Sequence, residues 1–372
     1  MRVLLSTYGS RGDVEPMVAL AIQLRRSGAE VQMCAPPDQE FVELLARADV
    51  SHVPFLKPWR SWERPPTPEE RKQRVADFIT AQYDTVAEAA AGADLIVGTA
   101  MSQFVAPSVA EALGIPYHYA LFCPDVVDGL DGQGFNDLFK KPLDHHRESI
   151  GLPPVNDVRE FMFTAHPLLA ADPVLGPWGG STGLDVVQTG AWTLEDSRPL
   201  ATDLLAFLDA GEEPVYVGFG SMRTVDEEGA RVAVEAIRAY GRRVVIGRGW
   251  AGLDVVDGRD DCFVVSEVNH QRLFSRMAAV IHHGGAGTTN TAFRAGVPQV
   301  VVPQGGDQTY WAGRVDDLGI GAAHQGPTPT IESLGACLDT ALSTETRTRA
   351  GKLAAEARGN GAATAAQVLI DS

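Results

Sequence analysis

VIHHGGAGTTNTAFRAGVPQVVVP, residues 280–303, contains a complete strand–turn–helix–strand unit. The apolar run that ends at two histidines predicts a buried strand, GGAG predicts a turn, and the following segment predicts a helix that stops at Gly296. PQVVVP predicts the next strand. Because such a unit belongs to a parallel sheet with helices on its faces, the stretch indicates an α/β fold.

The same pattern occurs near the start and in the middle of the chain. MRVLLSTYG predicts a strand, PMVALAIQLRRSG a helix with Pro16 in its first turn, and AEVQMC the next strand. PVYVGFGS (214–221) and RRVVIGRG (242–249) begin a second set. Since 372 residues are too many for one typical core, we predict two doubly wound, Rossmann-like domains. They span residues 1–190 and 213–372, with a linker at 191–212 and a final helix that can pack back on the first domain.

The composition excludes several classes of protein. A net charge of −17 argues against nucleic-acid binding and against attraction to an anionic membrane. The four cysteines are scattered and form no CxxC pair, which argues against a zinc site or a disulfide framework. The start of the sequence leads us to expect no secretory leader, and no apolar run reaches membrane-spanning length. We expect a cytoplasmic monomer.

The glycine turn in residues 284–287 is a candidate phosphate site. Glycines allow close approach to a ligand, and a helix start offers unpaired N–H groups that favour anions. The hydroxyl of Thr288 can add a donor, and His282 or His283 can point to the same place. The alternative is a plain glycine-rich connection with a histidine satisfied in the core. The turn has neither the Gly-Lys-Ser/Thr of a P-loop nor the glycine spacing of a dinucleotide fingerprint.

Two further strand tips carry polar residues. Asp307 and Gln308 in PQGGDQ can take the neighbouring hydroxyls of a sugar, although Asp307 can equally be the N-cap of the next helix. Asp13 in GSRGDVEP can serve as a general base if its environment raises its pKa, or can simply cap a helix. Ser10 and Arg11 lie on the same turn.

Together these segments resemble the family 1 glycosyltransferases of GT-B fold, in which two Rossmann-like domains face each other across a cleft. GSRGDVEP, VGFGS, GRGW, SEVNHQRLF, HHGGAGTT and PQGGDQ occur in the order of that family and at about its spacing. IGLPPV and VQTGAW are also similar to the glycopeptide-antibiotic glycosyltransferases of the vancomycin, chloroeremomycin and teicoplanin type. The resemblance covers nearly the whole chain.

The resemblance implies a role for each motif. HHGGAGTT would bind the diphosphate of the donor, the backbone at Val268 would meet the base, and Gln271 would lie near the ribose. Plant relatives have a Trp that stacks on the base where this chain has Val268. Asp13 would accept the proton of the acceptor hydroxyl. The residues expected to bind the donor are Ser10, Arg11, Ser221, Val268, Gln271, His282, His283, Gly285, Ala286, Gly287, Thr288, Asp307 and Gln308.

The implied reaction is an inverting transfer, without metal or resident cofactor, of a sugar from a UDP- or TDP-sugar. The acceptor would be a hydroxyl of a glycopeptide aglycone or pseudoaglycone. Loops around residues 55–75 and 123–145 would receive it, and Trp59 and Trp62 are either an aromatic platform or ordinary packing. The alternatives are a sterol, lipid or polyketide acceptor, and an inactive nucleotide-sugar-binding module.

Overall fold

The computed structural model describes residues 1–61, 67–100, 104–126, 132–164, 166–180, 183–222, 227–250, 252–254, 257 and 259–372. The chain divides into two compact units. The first contains residues 1–171, 178–194 and 359–372, and the second contains residues 172–177 and 195–358. Among the helices that the structure describes, none combines the length and the apolar composition needed to cross a bilayer.

The first unit is built on a seven-stranded parallel sheet in the order β3-β2-β1-β4-β5-β6-β7. Its central strands are buried along nearly their whole length, and their middle residues are apolar, because helices cover both faces of the sheet. The order of strands reverses between β1 and β4, and such a switch point places loops where ligands bind in α/β sheets. The strands are β1 (Arg2–Ser6), β2 (Glu30–Ala35), β3 (Ser51–Pro54), β4 (Leu95–Thr99), β5 (Tyr117–Leu121), β6 (Leu168–Leu169) and β7 (Val187–Gln188).

The helices of this unit connect and cover the strands. A short 3₁₀ turn at Trp59–Ser61 and a π-helical turn at Asn136–Lys140 lie between them. The helices are α1 (Arg11–Arg26), α2 (Gln39–Arg47), α3 (Pro68–Ala89), α4 (Ala106–Leu113), α5 (Gly132–Phe135), α6 (Lys141–Ser149) and α7 (Val158–Phe163).

Helix α1 begins earlier than the sequence analysis predicted. Pro16 was expected in its first turn, whereas the helix starts at Arg11 and Pro16 lies inside it. The cause is a capping box, in which Ser10 is the N-cap and the Asp13 side chain accepts the backbone N–H of Ser10 at 2.9 Å. Capping therefore outweighs the hydrogen bond that Pro16 cannot make.

The second unit is built on a six-stranded parallel sheet in the order β10-β9-β8-β11-β12-β13. Its order reverses between β8 and β11. The strands are β8 (Val215–Gly218), β9 (Val244–Gly247), β10 (Cys262–Val265), β11 (Ala279–His282), β12 (Gln299–Val301) and β13 (Gly321–Ala323). The helices are α8 (Thr202–Asp209), α9 (Glu227–Ala239), α10 (His270–Phe274), α11 (Ala286–Arg294), α12 (Gln308–Asp317), α13 (Ile331–Ala341) and α14 (Thr344–Ala354).

The last helix, α15 (Gly361–Asp371), belongs to the first unit. Its buried face, which includes Ala365 and Leu369, joins the apolar core that Leu20 and Leu24 of α1 help to form. Gly361 begins the helix in close contact with backbone, because a Cβ atom there would lie 2.3 Å from the carbonyl oxygen of Gly190. The chain therefore leaves the first unit near residue 194 and returns to it at residue 359.

Candidate functional site

The glycine turn between β11 and α11 has a shape that only glycine permits. Gly284 has a φ of +92°, and a Cβ atom there would lie 2.7 Å from Cγ1 of Val301. A Cβ atom on Gly285 would lie 2.5 Å from Nε2 of His283. Gly285 is the N-cap of α11 and makes no side-chain cap, since it has no side chain. The backbone at the start of α11 is therefore not capped by the side chain of its N-cap residue.

The first turn of α11 presents three unpaired amides. The N–H of Thr289 donates to the carbonyl of Gly285 at 3.0 Å, so the helical ladder starts there. Within the described part of the chain, the N–H groups of Ala286, Gly287 and Thr288 have no acceptor. The first turn also carries no acidic residue, whereas α1 has Asp13 in the same place. Unpaired donors and the positive end of the helix dipole favour an anion.

His282 is buried and its ring is fully used. Nε2 lies 2.9 Å from Oε1 of Gln299, and Nδ1 accepts the N–H of Gly284 at 3.1 Å. Because Nδ1 accepts, the ring proton lies on Nε2 and is donated to Gln299. Burial, followed by the neighbouring His283, lowers the pKa of His282 to about 3, so the ring is neutral. His282 thus has the satisfied core role that was the alternative in the sequence analysis: it shapes the turn, and both of its ring nitrogens bond to the protein.

His283 lies beside the glycines of two neighbouring loops. Its ring contacts the α-carbon region of Gly285 and of Gly220, where added Cβ atoms would come within 2.5 and 3.1 Å of it. Nδ1 is buried, and no hydrogen-bond partner reaches it among the described residues. Burial lowers the pKa of His283 to about 4. His283 therefore remains a candidate for contact with the nucleotide-sugar donor. Ser221, another predicted donor residue, is half-buried and follows Gly220 directly.

Asp307 and Gln308 lie next to the glycine turn. A Cβ atom on Gly284 would come 3.0 Å from the carbonyl oxygen of Gln308, which begins α12. Asp307 is the N-cap of α12 but makes no side-chain cap; its Oδ2 accepts the indole N–H of Trp311 at 3.1 Å. Burial raises the pKa of this carboxyl. The capping alternative therefore does not account for the Asp307 side chain.

Gln304 holds this loop in place. The backbone N–H of Gln304 donates to Oε1 of Gln308 at 2.7 Å, and its own amide donates to the carbonyl of Pro327 at 2.9 Å. The amide of Gln308 points to Sδ of Met222 at 3.6 Å. The side chain of Gln308 is thus oriented from both of its polar ends.

The stretch expected to meet the nucleoside is anchored to the segment that precedes α8. Val268 packs on a cluster that contains Leu273 and Phe274. Asn269, 1% exposed, caps α10 and donates to the carbonyls of Asp196 and Arg198 at 2.7 and 2.8 Å. The side-chain oxygen of Gln271 accepts the N–H of Asp196 at 3.3 Å, so this predicted ribose contact has a structural bond.

In the first unit, Asp13 lies in the first turn of α1, which follows β1. Its carboxylate closes the capping box with Ser10, and a Cβ atom on Gly9 would lie 2.1 Å from Oδ2 of Asp13. Arg11 forms ion pairs with Glu15 at 3.1 Å and Glu40 at 3.6 Å. Asp13 thus has the capping role that the sequence analysis gave as its alternative. The guanidinium of Arg11 is paired with the carboxylates of Glu15 and Glu40.

Aromatic side chains pack around Tyr8, which lies between β1 and α1. Tyr8 packs edge-to-face against Phe55, Trp59 and Phe78 at centroid distances of 5.9, 5.3 and 6.4 Å. Trp59 is therefore a packed residue. Trp62, the other candidate for an aromatic platform, lies outside the described residues, as do positions 62–66 and 127–131 of the expected acceptor loops. Burial, and next the charge of Asp13, raise the pKa of Tyr119.

Comparisons with known proteins place the chain in a family. The Glycosyltransferase family 28 N-terminal domain matches residues 3–130, and the Erythromycin biosynthesis protein CIII-like C-terminal domain matches residues 253–368. Glycosyltransferase GtfE of Amycolatopsis orientalis is 51% identical over 401 residues, covering 100% of this chain and 97% of the relative. The vancomycin aglycone glucosyltransferase of the same organism is 49% identical, covering 100% and 98%. The chain belongs to this family of glycosyltransferases.

Solved structures support the fold of this glycosyltransferase. The calicheamicin glycosyltransferase CalG4 matches with a TM-score of 0.78 at 17% identity, covering 100% of this chain and 97% of that one. Glycosyltransferase VinC, solved in complex with dTDP, matches with a TM-score of 0.70 at 20% identity, covering 100% and 99%. At these identities the likeness is one of fold. The predictions of a GT-B fold and of a glycosyltransferase are confirmed.

Three residues that position the site of this glycosyltransferase are absent from the sequence predictions: Gln299, Asn269 and Gln304. Gln299 fixes the tautomer of His282 from the neighbouring strand, a contact that spacing along the chain does not indicate. Asn269 had a local signal, because an Asn just before a helix predicts an N-cap. Gln304 had none, since its partner Pro327 lies beyond the next strand.

Proposed function

We propose that this glycosyltransferase moves a sugar from a TDP- or UDP-sugar to a hydroxyl of a glycopeptide aglycone or pseudoaglycone, with inversion and without a metal. The observation that carries the proposal is the row of unpaired amides at Ala286, Gly287 and Thr288, in a first turn with no acidic residue. A chain with a net charge of −17 needs a local positive feature to hold a diphosphate, and a bare helix start provides one.

Two comparisons support a nucleotide diphosphate as the carrier. A relative named dTDP-epi-vancosaminyltransferase, from Amycolatopsis orientalis, is 47% identical over 367 residues, covering 94% of this chain. VinC was solved with dTDP bound. We assign the diphosphate to the α11 amides, with His283 beside them and Ser221 on the adjacent loop. The half-buried Asp307 and the oriented Gln308 are assigned to the hydroxyls of the sugar.

In the proposed reaction, Asp13 acts as the general base. The acceptor hydroxyl gives its proton to the Asp13 carboxylate while its oxygen forms a bond to the anomeric carbon. The bond from that carbon to the diphosphate oxygen breaks from the opposite side, which inverts the configuration. The bonding electrons leave on the diphosphate, where the α11 amides stabilise the new negative charge. Among the described residues, no group of three or more His, Cys, Asp or Glu side chains could hold a metal ion.

The acceptor is proposed from the relatives. One of them is named for its action on the vancomycin aglycone. Its alignment with this chain has 401 positions, more than the 372 residues of the chain, so the relative carries insertions that this chain lacks. We therefore assign the acceptor by class and leave the position of the new bond to experiment.

The test is turnover with defined partners. The protein is incubated with UDP-glucose or a TDP-linked hexose and with the vancomycin aglycone or pseudoaglycone, and products are identified by mass spectrometry. A mass increase of one sugar, with release of nucleoside diphosphate, supports the proposal. Transfer to a sterol or polyketide but to no glycopeptide would contradict the acceptor. Nucleotide binding without any turnover would contradict the enzyme's proposed reaction.

A further inference from the structure

Three consecutive side chains in α11 bond back to carbonyls at the start of the helix. Two of these residues, Thr289 and Asn290, are 0% and 5% exposed. The bonds run from Thr289 Oγ1 to the Gly285 carbonyl at 2.9 Å, from Asn290 Nδ2 to the Ala286 carbonyl at 2.8 Å, and from Thr291 Oγ1 to the Gly287 carbonyl at 2.8 Å.

Each of these carbonyls shares a peptide group with one of the unpaired amides. The Gly285 carbonyl is bonded to the nitrogen of Ala286, and the next two carbonyls are bonded to the nitrogens of Gly287 and Thr288. A hydrogen bond to a carbonyl oxygen draws electrons through the peptide group, so the N–H on its other side becomes a stronger donor. Three side-chain donors therefore act on the three unpaired amides.

We propose that Thr289, Asn290 and Thr291 are positioning residues that polarise the α11 amides toward the diphosphate of the donor. This inference rests on the proposed function, since it needs a diphosphate at this turn. It goes further by assigning a role to side chains that bond to the backbone at the start of the helix and not to the ligand itself.

A single bond of this kind is common and carries no function by itself. Thr80, Thr85 and Thr348 each bond to the carbonyl four residues earlier in other helices. What distinguishes α11 is an unbroken row of three that includes an asparagine, a residue that helix interiors disfavour.

Asn290 gives an independent reason for a role beyond stability. Its Oδ1 is buried, and no donor reaches it in the described part of the chain. A buried polar atom without a partner is destabilising, and an apolar side chain of similar size would avoid that loss. Among the described residues, the Asn290 side chain makes one bond, from Nδ2 to the Ala286 carbonyl.

The polarised amides should matter most in the transition state. Negative charge on the diphosphate grows as the bond to the anomeric carbon breaks, so stronger donors stabilise the transition state more than the bound substrate. Loss of the side-chain donors should therefore lower kcat more than it raises KM.

The experiment compares close variants of the full chain. Thr291→Val removes the hydroxyl and keeps the shape, Thr291→Ser keeps the hydroxyl, and Thr348→Val removes the same bond from the first turn of α14. Calorimetry measures the Kd of TDP and UDP, and NMR measures amide proton shifts without ligand. We expect an upfield shift of the Thr288 amide proton in Thr291→Val and about a twofold loss of diphosphate affinity.

The remaining variants make the result decisive. Combining Thr291→Val with Thr289→Val and Asn290→Leu should weaken diphosphate binding by about tenfold, if each bond contributes similarly. Thr291→Ser should restore the wild-type shift and affinity, and Thr348→Val should leave both unchanged at α11. If Thr291→Val and Asn290→Leu fold and keep the wild-type Kd and kcat, this inference is overturned while the proposed function stands. A wild-type protein that binds neither TDP nor UDP would overturn the proposed function, and this inference with it.

Discussion

Asp13 closes the capping box of α1 and is also the proposed general base, and a single substitution can separate these two roles. Asn at this position can still accept the N–H of Ser10 and preserve the capping box, but it cannot take a proton. We expect Asp13→Asn to melt close to the wild type and to bind nucleotide normally, while kcat falls by about 10²–10⁴-fold. Asp13→Ala should lose the cap as well, at a cost of about 1 kcal/mol in the free energy of unfolding. Near-normal turnover in Asp13→Asn would remove Asp13 as the base.

His282 should make folding sensitive to acid. Its pKa is lowered to about 3 in the folded state, whereas a histidine in the unfolded chain titrates near its ordinary value of 6.5. Below pH 6.5 the unfolded state therefore binds a proton that the folded state does not, and stability falls as the pH falls toward 3. His282 alone should contribute up to about 1.4 kcal/mol per pH unit in that window.

The measurement is the free energy of unfolding of wild type and His282→Gln between pH 7 and pH 5. Carboxylates titrate in both proteins, so the difference between the two curves isolates the histidine. The wild type should show the steeper loss of stability on acidification. Parallel curves would mean that His282 is not held neutral by burial.

At the scale of the element, the glycine turn offers a matched pair of substitutions. Gly284→Ala places a Cβ atom 2.7 Å from Val301 at a φ of +92°, so we expect a loss of about 1–3 kcal/mol in stability, together with weaker nucleotide binding. At Gly287 nothing lies within 4 Å of an added Cβ, and the backbone is helical. Gly287→Ala should therefore keep or slightly raise the melting temperature. Equal destabilisation by both would refute the close approach at Gly284.

The elements also show what sequence can and cannot predict. The strand, glycine turn and helix at 279–294 were predictable because apolar runs and turn residues act locally. The start of α1 differs from the prediction because Ser10 and Asp13 form a capping box, and this local signal outweighs the preference of Pro16 for a first-turn position. The sequence left His282 and His283 undecided, since the answer depends on Gln299, which lies on another strand and is brought near only by sheet pairing.

At the scale of the whole molecule, the two-unit α/β architecture was predictable from chain length and repeated strand–helix patterns. The GT-B fold and the glycosyltransferase activity were predictable from the resemblance to a family. The bond from Asn269 to residues 196 and 198, and the bond from Gln304 to Pro327, join segments that no periodicity relates. These contacts position the predicted donor residues. Hydrogen bonds between distant segments leave no local pattern in the sequence, so these contacts could not be predicted from it.

The net charge of −17 gives a last prediction, about how the protein meets its donor. A diphosphate that approaches is repelled by the field of the whole chain, whereas the amides proposed to hold it act over only a few ångströms. Salt shortens the reach of the field from about 30 Å at 0.01 M to about 8 Å at 0.15 M, and it affects the close contact less. The association rate of TDP or UDP, measured by stopped flow, should therefore rise with salt over this range. The rate for the uncharged nucleoside serves as the control and should stay constant. A steep fall in diphosphate binding with salt is the behaviour of a lysine- and arginine-lined site, and it would contradict an anion site made of backbone amides.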